Sequence, residues 1–409
     1  MSSHLIVGAR IFDGSGSPTV AGEVLVDGNR IVAVGDRLAA PAEAEVIDGA
    51  GAVLMPGLVD GHTHLGFGSS VEHTSTRFEP DEEKVLLVAH CARVMLDHGF
   101  TSCYSGGNRM PASEVAARKA FAEGWLPGPR LRAASWEGSA GMVSPGHYDF
   151  PGIEGRESDP GSVRDFVHAM ADLGVDIVKV SLTGESAVVG GTSRVMQFTE
   201  EEIEAAATAA AERGVWLTAH AHSAEAVRLA VQYGVRAIYH ATFSDDEAIE
   251  ALVEARDRVF VAPTPGIIWA HLHDEEHPPT PEMETYETQA SIARVAPELH
   301  KRGVRMVIGG DYGFPINPIG RNARDLRLFV EWFGLTPAEA LRCACEYGGQ
   351  LMEQQVGLVR EGYLADLLLV EGDPTEDVTL LEDPANLAMI MSDGRLHKID
   401  PARRTASGR

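Results

Sequence analysis

The chain places histidines one residue apart at three points, His62/His64, His220/His222 and His271/His273, and each pair follows an apolar run. In Gly57-Leu58-Val59-Asp60-Gly61-His62-Thr63-His64, positions i and i+2 share one face of an extended strand, so His62 and His64 can chelate a metal ion from its C-terminal end. A bare His-x-His also fits two ordinary polar histidines. Its place after an apolar strand and before Gly66 and Gly68 favours the metal. Thr218-Ala219-His220-Ala221-His222 and Ile238-Tyr239-His240 likewise carry histidines at the ends of apolar runs. A lone histidine there is commonly a satisfied core residue, but two on consecutive strands, after a His-x-His, point to ligands. His222 shares the face of His220 one step further out and is expected to lie outside the metal ligands or to touch a substrate.

Two further strand residues join this set. Val175-Asp176-Ile177-Val178-Lys179-Val180 puts a lysine in a run buried on both faces, where it must shed its hydration shell. Its amine can add carbon dioxide to give a carbamate that bridges two cations, or it can pair with a neighbouring carboxylate; the lysine alone does not choose. Asp311 follows Val304-Arg305-Met306-Val307-Ile308 and two glycines that let the backbone crowd a ligand. A carboxylate there can bind metal and accept a proton from water, or it can cap the next helix.

The elements that must position these residues alternate short apolar runs with helical stretches, the pattern of parallel βα units. Thr199 with Glu202 predicts a capping-box helix ending near Gly214, Ser223 an N-cap with a stop at Gly234, and Thr336-Pro337 another helix start. The ends differ from the middle. Residues 1–56 read as short strands, with a hairpin signal at Asp27-Gly28-Asn29, and Leu364–Val370 and Leu387–Met391 read as two more before the turn Ser392-Asp393-Gly394. The fold class is therefore expected to be α/β: a (β/α)8 TIM-like barrel over 57–356, with a small β-sandwich domain built from 1–56 plus 357–409. Residues 137–162 and 269–285 read as long loops that could form lids or substrate walls.

Across 409 residues, 60 acidic against 34 basic side chains give a formal charge of −26, which argues against nucleic acid or an anionic membrane as partner. Four cysteines (Cys91, Cys103, Cys343, Cys345) form no framework and are expected to be reduced thiols. The N-terminal stretch has no signal-peptide pattern and no apolar run is long enough to span a bilayer, so a cytoplasmic location is expected.

In type and order, GLVDGHTHLG, the strand lysine, the two later strand-end histidines and the Gly-Gly-Asp aspartate resemble the amidohydrolase superfamily. Val356-Gly357, the run Glu361-Gly362-Tyr363-Leu364-Ala365-Asp366 and Gly372-Asp373-Pro374 resemble its closing β-domain motif, and the likeness runs from about residue 3 to residue 398. The chain is most similar to the prolidase and imidazolonepropionase-like branch, although Glu185 replaces the second glycine of that branch's KxxxxGG after Lys179. The resemblance implies that His62 and His64 hold one divalent metal and His220 and His240 another. It implies that carboxylated Lys179 bridges them with a hydroxide and that Asp311 binds the first metal and carries the proton. His147, in Ser144-Pro145-Gly146-His147, would contact the substrate. Zinc suits such ligands.

The expected reaction is hydrolysis of a C–N bond in a small molecule (an amide, lactam, carbamate or urea-like group) by attack of that hydroxide on the carbonyl. A dehydrative cyclase and a mononuclear aminohydrolase are the alternatives, and a homo-oligomer is compatible with the sequence. Members of the branch that act on dipeptides or N-acyl amino acids often carry a segment like TTVRD after strand two, where this chain has Thr101-Ser102-Cys103-Tyr104-Ser105. That weighs against recognition of an amino-acid carboxylate. Tyr104, Trp136, Tyr148, Phe150 and Trp269 are expected to line a flatter aromatic pocket instead.

Overall fold

The computed structural model describes residues 3–39, 41–69, 80–139, 158–184, 192–281 and 283–405. The loop carrying His147, Tyr148 and Phe150 lies outside the described residues, as does most of the expected 137–162 loop.

Both chain ends enter one nine-stranded sheet. Its strands are β1 (Ser3–Ile11), β2 (Val20–Asp27), β3 (Arg30–Gly35), β4 (Glu45–Asp48) and β5 (Ala52–Pro56) from the N-terminal stretch. After the central region come β15 (Leu367–Glu371), β16 (Leu387–Ser392), β17 (Arg395–Ile399) and β18 (Arg404–Thr405). The ends join where β15 runs antiparallel to β5, Leu367 opposite Pro56. β1 serves three neighbours, pairing antiparallel with β2 along one edge and, along the other, parallel with β4 through His4–Val7 and with β5 through Arg10 and Ile11. Its register slips between Ile6 and Ala9, and Gly8, at φ +73°, absorbs the bend. All nine strands belong to a single hydrogen-bonded sheet rather than to two separate ones.

The central region contributes β6 (Leu58–Thr63), β7 (Phe100–Ser105) and β8 (Arg130–Arg132) to a parallel three-stranded sheet. A parallel six-stranded sheet holds β9 (Ala134–Ser139), β10 (Ile177–Ser181), β11 (Trp216–Ser223), β12 (Ala237–Phe243), β13 (Phe260–Ala262) and β14 (Arg305–Met306) in sequence order. Only Ala133 separates β8 from β9. At the other end, the chain after β14 bonds to β6: Gly61 N–H donates to Ile308 O at 2.8 Å, and His64 N–H to Tyr312 O at 2.7 Å. Two apolar layers result. Val59, Tyr104, Ile177, Tyr239, Phe260 and Val307 pack together on one side of the strands, and a larger core lies between strands and helices. This is why β7 and β10 read as continuous buried runs.

The helix signals hold. Thr199 and Glu202 form a reciprocal capping box ending at left-handed Gly214, Ser223 caps the helix that follows β11, and Thr336 and Glu339 form another box with Pro337 in the first turn. One expectation is corrected. The stretch from 269 begins as helix, because Pro265 starts a turn that the apolar run Gly266-Ile267-Ile268-Trp269-Ala270 continues to Leu272. The four cysteines are free and buried, and no helix among the described residues is long and apolar enough to cross a membrane.

Arg130 ties the end sheet to the central region. Its guanidinium meets Asp366 at 2.7 and 3.3 Å and Asp393 at 2.5 Å, and Asp366 is 2% exposed. Arg130→Ala strands that carboxylate, and the expected destabilisation is about 3 kcal/mol, read as a lowered melting temperature; an unchanged melting curve would contradict it.

Candidate metal centre

The parallel strands bring the singled-out residues together at their C-terminal ends. His62, His64, Lys179, His220, His222 and His240 are all at most 4% exposed, and the Asp311 side chain is 15% exposed. Asp311 Oδ1 lies 2.8 Å from His64 Nε2 and 3.4 Å from His62 Nε2. On the other side, His240 Nε2 is 2.9 Å from His220 Nδ1. Ligand atoms of His62, His240 and Asp311 all fall within 4.8 Å of one another, as do those of His220, His222 and His240. His240 therefore belongs to both groups.

The rings are aimed by neighbours. Gly107 O lies 2.9 Å from His64 Nδ1, Thr242 Oγ1 2.8 Å from His222 Nδ1 and Thr264 Oγ1 2.7 Å from His240 Nδ1. Such contacts fix ring orientation and leave the opposite nitrogen for a metal. His62 stacks on Tyr239 at 3.6 Å and 6°, and its two nitrogens have no hydrogen-bond partner. Asp311 Oδ1 and His222 Nε2 are likewise buried without a hydrogen bond. Polar atoms hidden in that state are costly, and divalent cations are what these nitrogen and carboxylate donors suit. The residues fit a metal centre.

Lys179 meets a carboxylate that the sequence reading did not single out. Its Nζ lies 3.1 Å from Glu137 Oε1, 3.1 Å from Gly106 O and 4.5 Å from the centre of the Tyr239 ring. Burial would push the Glu137 carboxyl up, but Lys179, then His220 and His64, hold it at about 2. The parallel register sets Glu137 opposite Lys179. The available signal was a lone acid in an otherwise uncharged strand, one strand before the lysine.

Asp311 is not a helix cap, since the next helix starts at Arg324 behind Ala323. It takes φ +63°, unusual for a residue with a side chain. Asn317 Nδ2 donates to Gly310 O at 2.8 Å and to Asp311 O at 3.0 Å, while Asp325 accepts from Gly309 N–H and from the Tyr312 hydroxyl at 2.9 Å each. The glycine pair follows from this crowding: a Cβ on Gly309 would run into the backbone of His62, and one on Gly310 into the Asp325 carboxylate. Burial pushes Asp325 up to about 7.

The aromatic wall differs from the expected one. Tyr104 is fully buried, its hydroxyl 3.0 Å from Thr218 Oγ1, so it lines no pocket. It occupies the place of the arginine in TTVRD, and a residue at that depth reports nothing about a substrate carboxylate. Trp136 packs half-buried against the core, and Trp269 stacks on His273 at 4.1 Å with Arg324 over it at 4.1 Å. The rings beside the centre are Phe67, stacked on His64 at 4.4 Å, and Phe314 at 5.6 Å.

A model of the amidohydrolase family matches residues 53–397, which span β5 to β17 and hold all of these ligating groups. The chain belongs to the amidohydrolase family. Ochratoxinase of Aspergillus niger is 26% identical over 383 residues, covering 85% of this chain and 76% of that one. Imidazolonepropionase of Idiomarina loihiensis is 24% identical, covering 85% of each. Among solved structures, a Xaa-Pro dipeptidase with methionine bound in its active site superposes with a TM-score of 0.84 at 26% identity, over 97% of this chain and all of that one. This amidohydrolase is a metal-dependent hydrolase acting on carbon–nitrogen bonds.

Burial holds His62, His222 and His240 well below the ordinary imidazole value of 6.5, with Lys179 adding to the effect at His62. In the metal-free amidohydrolase they stay neutral where unfolded histidines protonate. Below about pH 6.5 the unfolded chain binds more protons, so stability falls as pH drops through that value and toward the folded-state values. The melting temperature of chelator-treated protein should decline between about pH 7 and about pH 5; a flat profile would show these histidines to be protonated in the fold.

Proposed function

We propose that this amidohydrolase cleaves the amide bond of an N-acyl amino acid or dipeptide-like small molecule at a two-zinc centre. The convergence of four strand-end histidines with Asp311 and Lys179, several of their ligating atoms buried without partners, carries this reading. Sequence kinship with ochratoxinase and structural kinship with a Xaa-Pro dipeptidase support the substrate class. In this reading the two parallel sheets close into one (β/α)8 barrel over 57–356. The junction at Ala133 and the backbone bonds from β6 to 308–312 support that closure. Residues 1–56 plus 357–409 form the accessory β domain.

His62 and His64 hold one ion with Asp311, and His220 and His240 hold the other. Lys179, as a carbamate, would help to hold both ions, which would require its contact with Glu137 to open. Metal ions at such a centre acidify water and polarise a carbonyl. The protein's own residues do the rest. Phe67 and Phe314 wall the pocket beside His64, and Asp311 Oδ1 takes the proton released as water adds to the carbonyl carbon. Asp311 returns that proton to the nitrogen as the C–N bond breaks, leaving an acid and an amine. His147 would contact the substrate.

The test is metal content alongside a screen of N-acyl amino acids, dipeptides, lactams and carbamates. About two zinc ions per chain and turnover of the first two classes are expected; ammonia release at one ion per chain would favour an aminohydrolase instead. Asp311→Asn keeps size and one oxygen but cannot take up the proton, so kcat should drop by at least ~10²-fold with the fold intact. Retention of more than about a tenth of wild-type turnover would remove Asp311 from the proton path. Lys179→Ala should lower metal occupancy, with partial rescue by short carboxylic acids; full occupancy and activity would dismiss the bridge.

A further inference from the structure

We propose that His222 is itself a metal ligand, so that one of the two metal positions is a three-imidazole face of His220, His222 and His240. The proposal rests on the metal-dependent reading above and changes its ligand set.

The strand supplies the geometry. His220 and His222 stand two residues apart on β11 and so share a face. β12 lies alongside with His240 opposite Ala221, and its backbone at φ +71° turns the ring toward that face. The three rings meet: His222 stacks on His240 at 4.2 Å and 18° and stands edge-on to His220 at 4.7 Å. One nitrogen from each lies within 4.8 Å of the others, a grouping that could hold a metal ion once the rings draw in to its bonding distance.

The hydrogen bonds select the free atom. Thr242 Oγ1 engages His222 Nδ1 at 2.8 Å, which leaves the Nε2 lone pair available, while Thr264 Oγ1 holds His240 Nδ1 at 2.7 Å and turns its Nε2 to within 2.9 Å of His220 Nδ1. His222 is 1% exposed, and its Nε2 is buried with no hydrogen-bond partner. A histidine that served only a substrate would keep that nitrogen open to the pocket, whereas this one is closed off beside two other imidazoles. Three histidines with a fourth position open is a donor set that catalytic zinc uses. It also frees this position from dependence on Lys179, whose Nζ is engaged by Glu137.

Zinc binding to His222→Ala and wild type, measured by equilibrium dialysis and elemental analysis, tests this. Melting of the metal-free forms checks that the variant folds. One of the two ions should bind at least ~10-fold more weakly in the variant, while the other is unchanged. Equal zinc affinity in variant and wild type, even with a raised KM, overturns the proposal and makes His222 a substrate contact. Should the variant misfold, anomalous diffraction from zinc-loaded wild-type crystals decides: an ion at ~2.0–2.2 Å from His222 Nε2 is expected, and one lying beyond bonding distance refutes it. A wild-type protein that binds no zinc would instead defeat the metal-dependent reading itself, a result distinct from either outcome for His222.

Discussion

Five imidazoles, a lysine and two carboxylates are drawn out of water at the ends of the parallel strands, and the rest of the molecule is organised around the cost of keeping them there. Desolvation lowers His62, His222 and His240, whereas at Glu137 the neighbouring Lys179 and imidazoles outweigh it. Neutral histidines with outward nitrogens already held are ready for a cation, because no proton must leave first. The Lys179–Glu137 contact answers the same constraint in the metal-free protein.

Such a cluster needs a backbone that brings chains closer than ordinary strands allow. His240, Ala241, Thr264 and Asp311 all adopt positive φ, the first two within β12 and the others after β13 and β14. Strain at these points is tolerated because the surroundings over-determine it. Around Asp311 the restraints are visible: Asn317 holds two carbonyls, Asp325 holds Gly309 N–H and the Tyr312 hydroxyl, and the backbones of His62 and His64 close the other side. Asp311 is thus fixed by residues as far along the chain as Asp325, well past the motif that announces it.

The end sheet contributes no ligand among the residues discussed, yet it braces the strands that do. β5 runs directly into β6, so the strand bearing His62 is anchored in the sheet that β15 completes. Arg130 makes a second tie, at the start of β8.

The amino-acid order by itself determined the periodic features. Alternation marked the terminal strands, capping residues marked the helix starts at Thr199, Ser223 and Thr336, and apolar runs ending in His62, His220, His240 and Asp311 marked where strands open. These signals are local, and local chemistry produces them. What depended on the register between strands was invisible. Glu137 faces Lys179 only because β9 and β10 pair in that alignment, and Tyr104 on β7 is buried against Thr218 on β11, four strands later in the sequence order, rather than lining a pocket. The hold of Thr242 on His222 Nδ1 and the closure of its Nε2 are likewise set by neighbouring strands. Residue types declare which atoms could bind an ion; only the packed strands decide which of those atoms are deprived of every other partner.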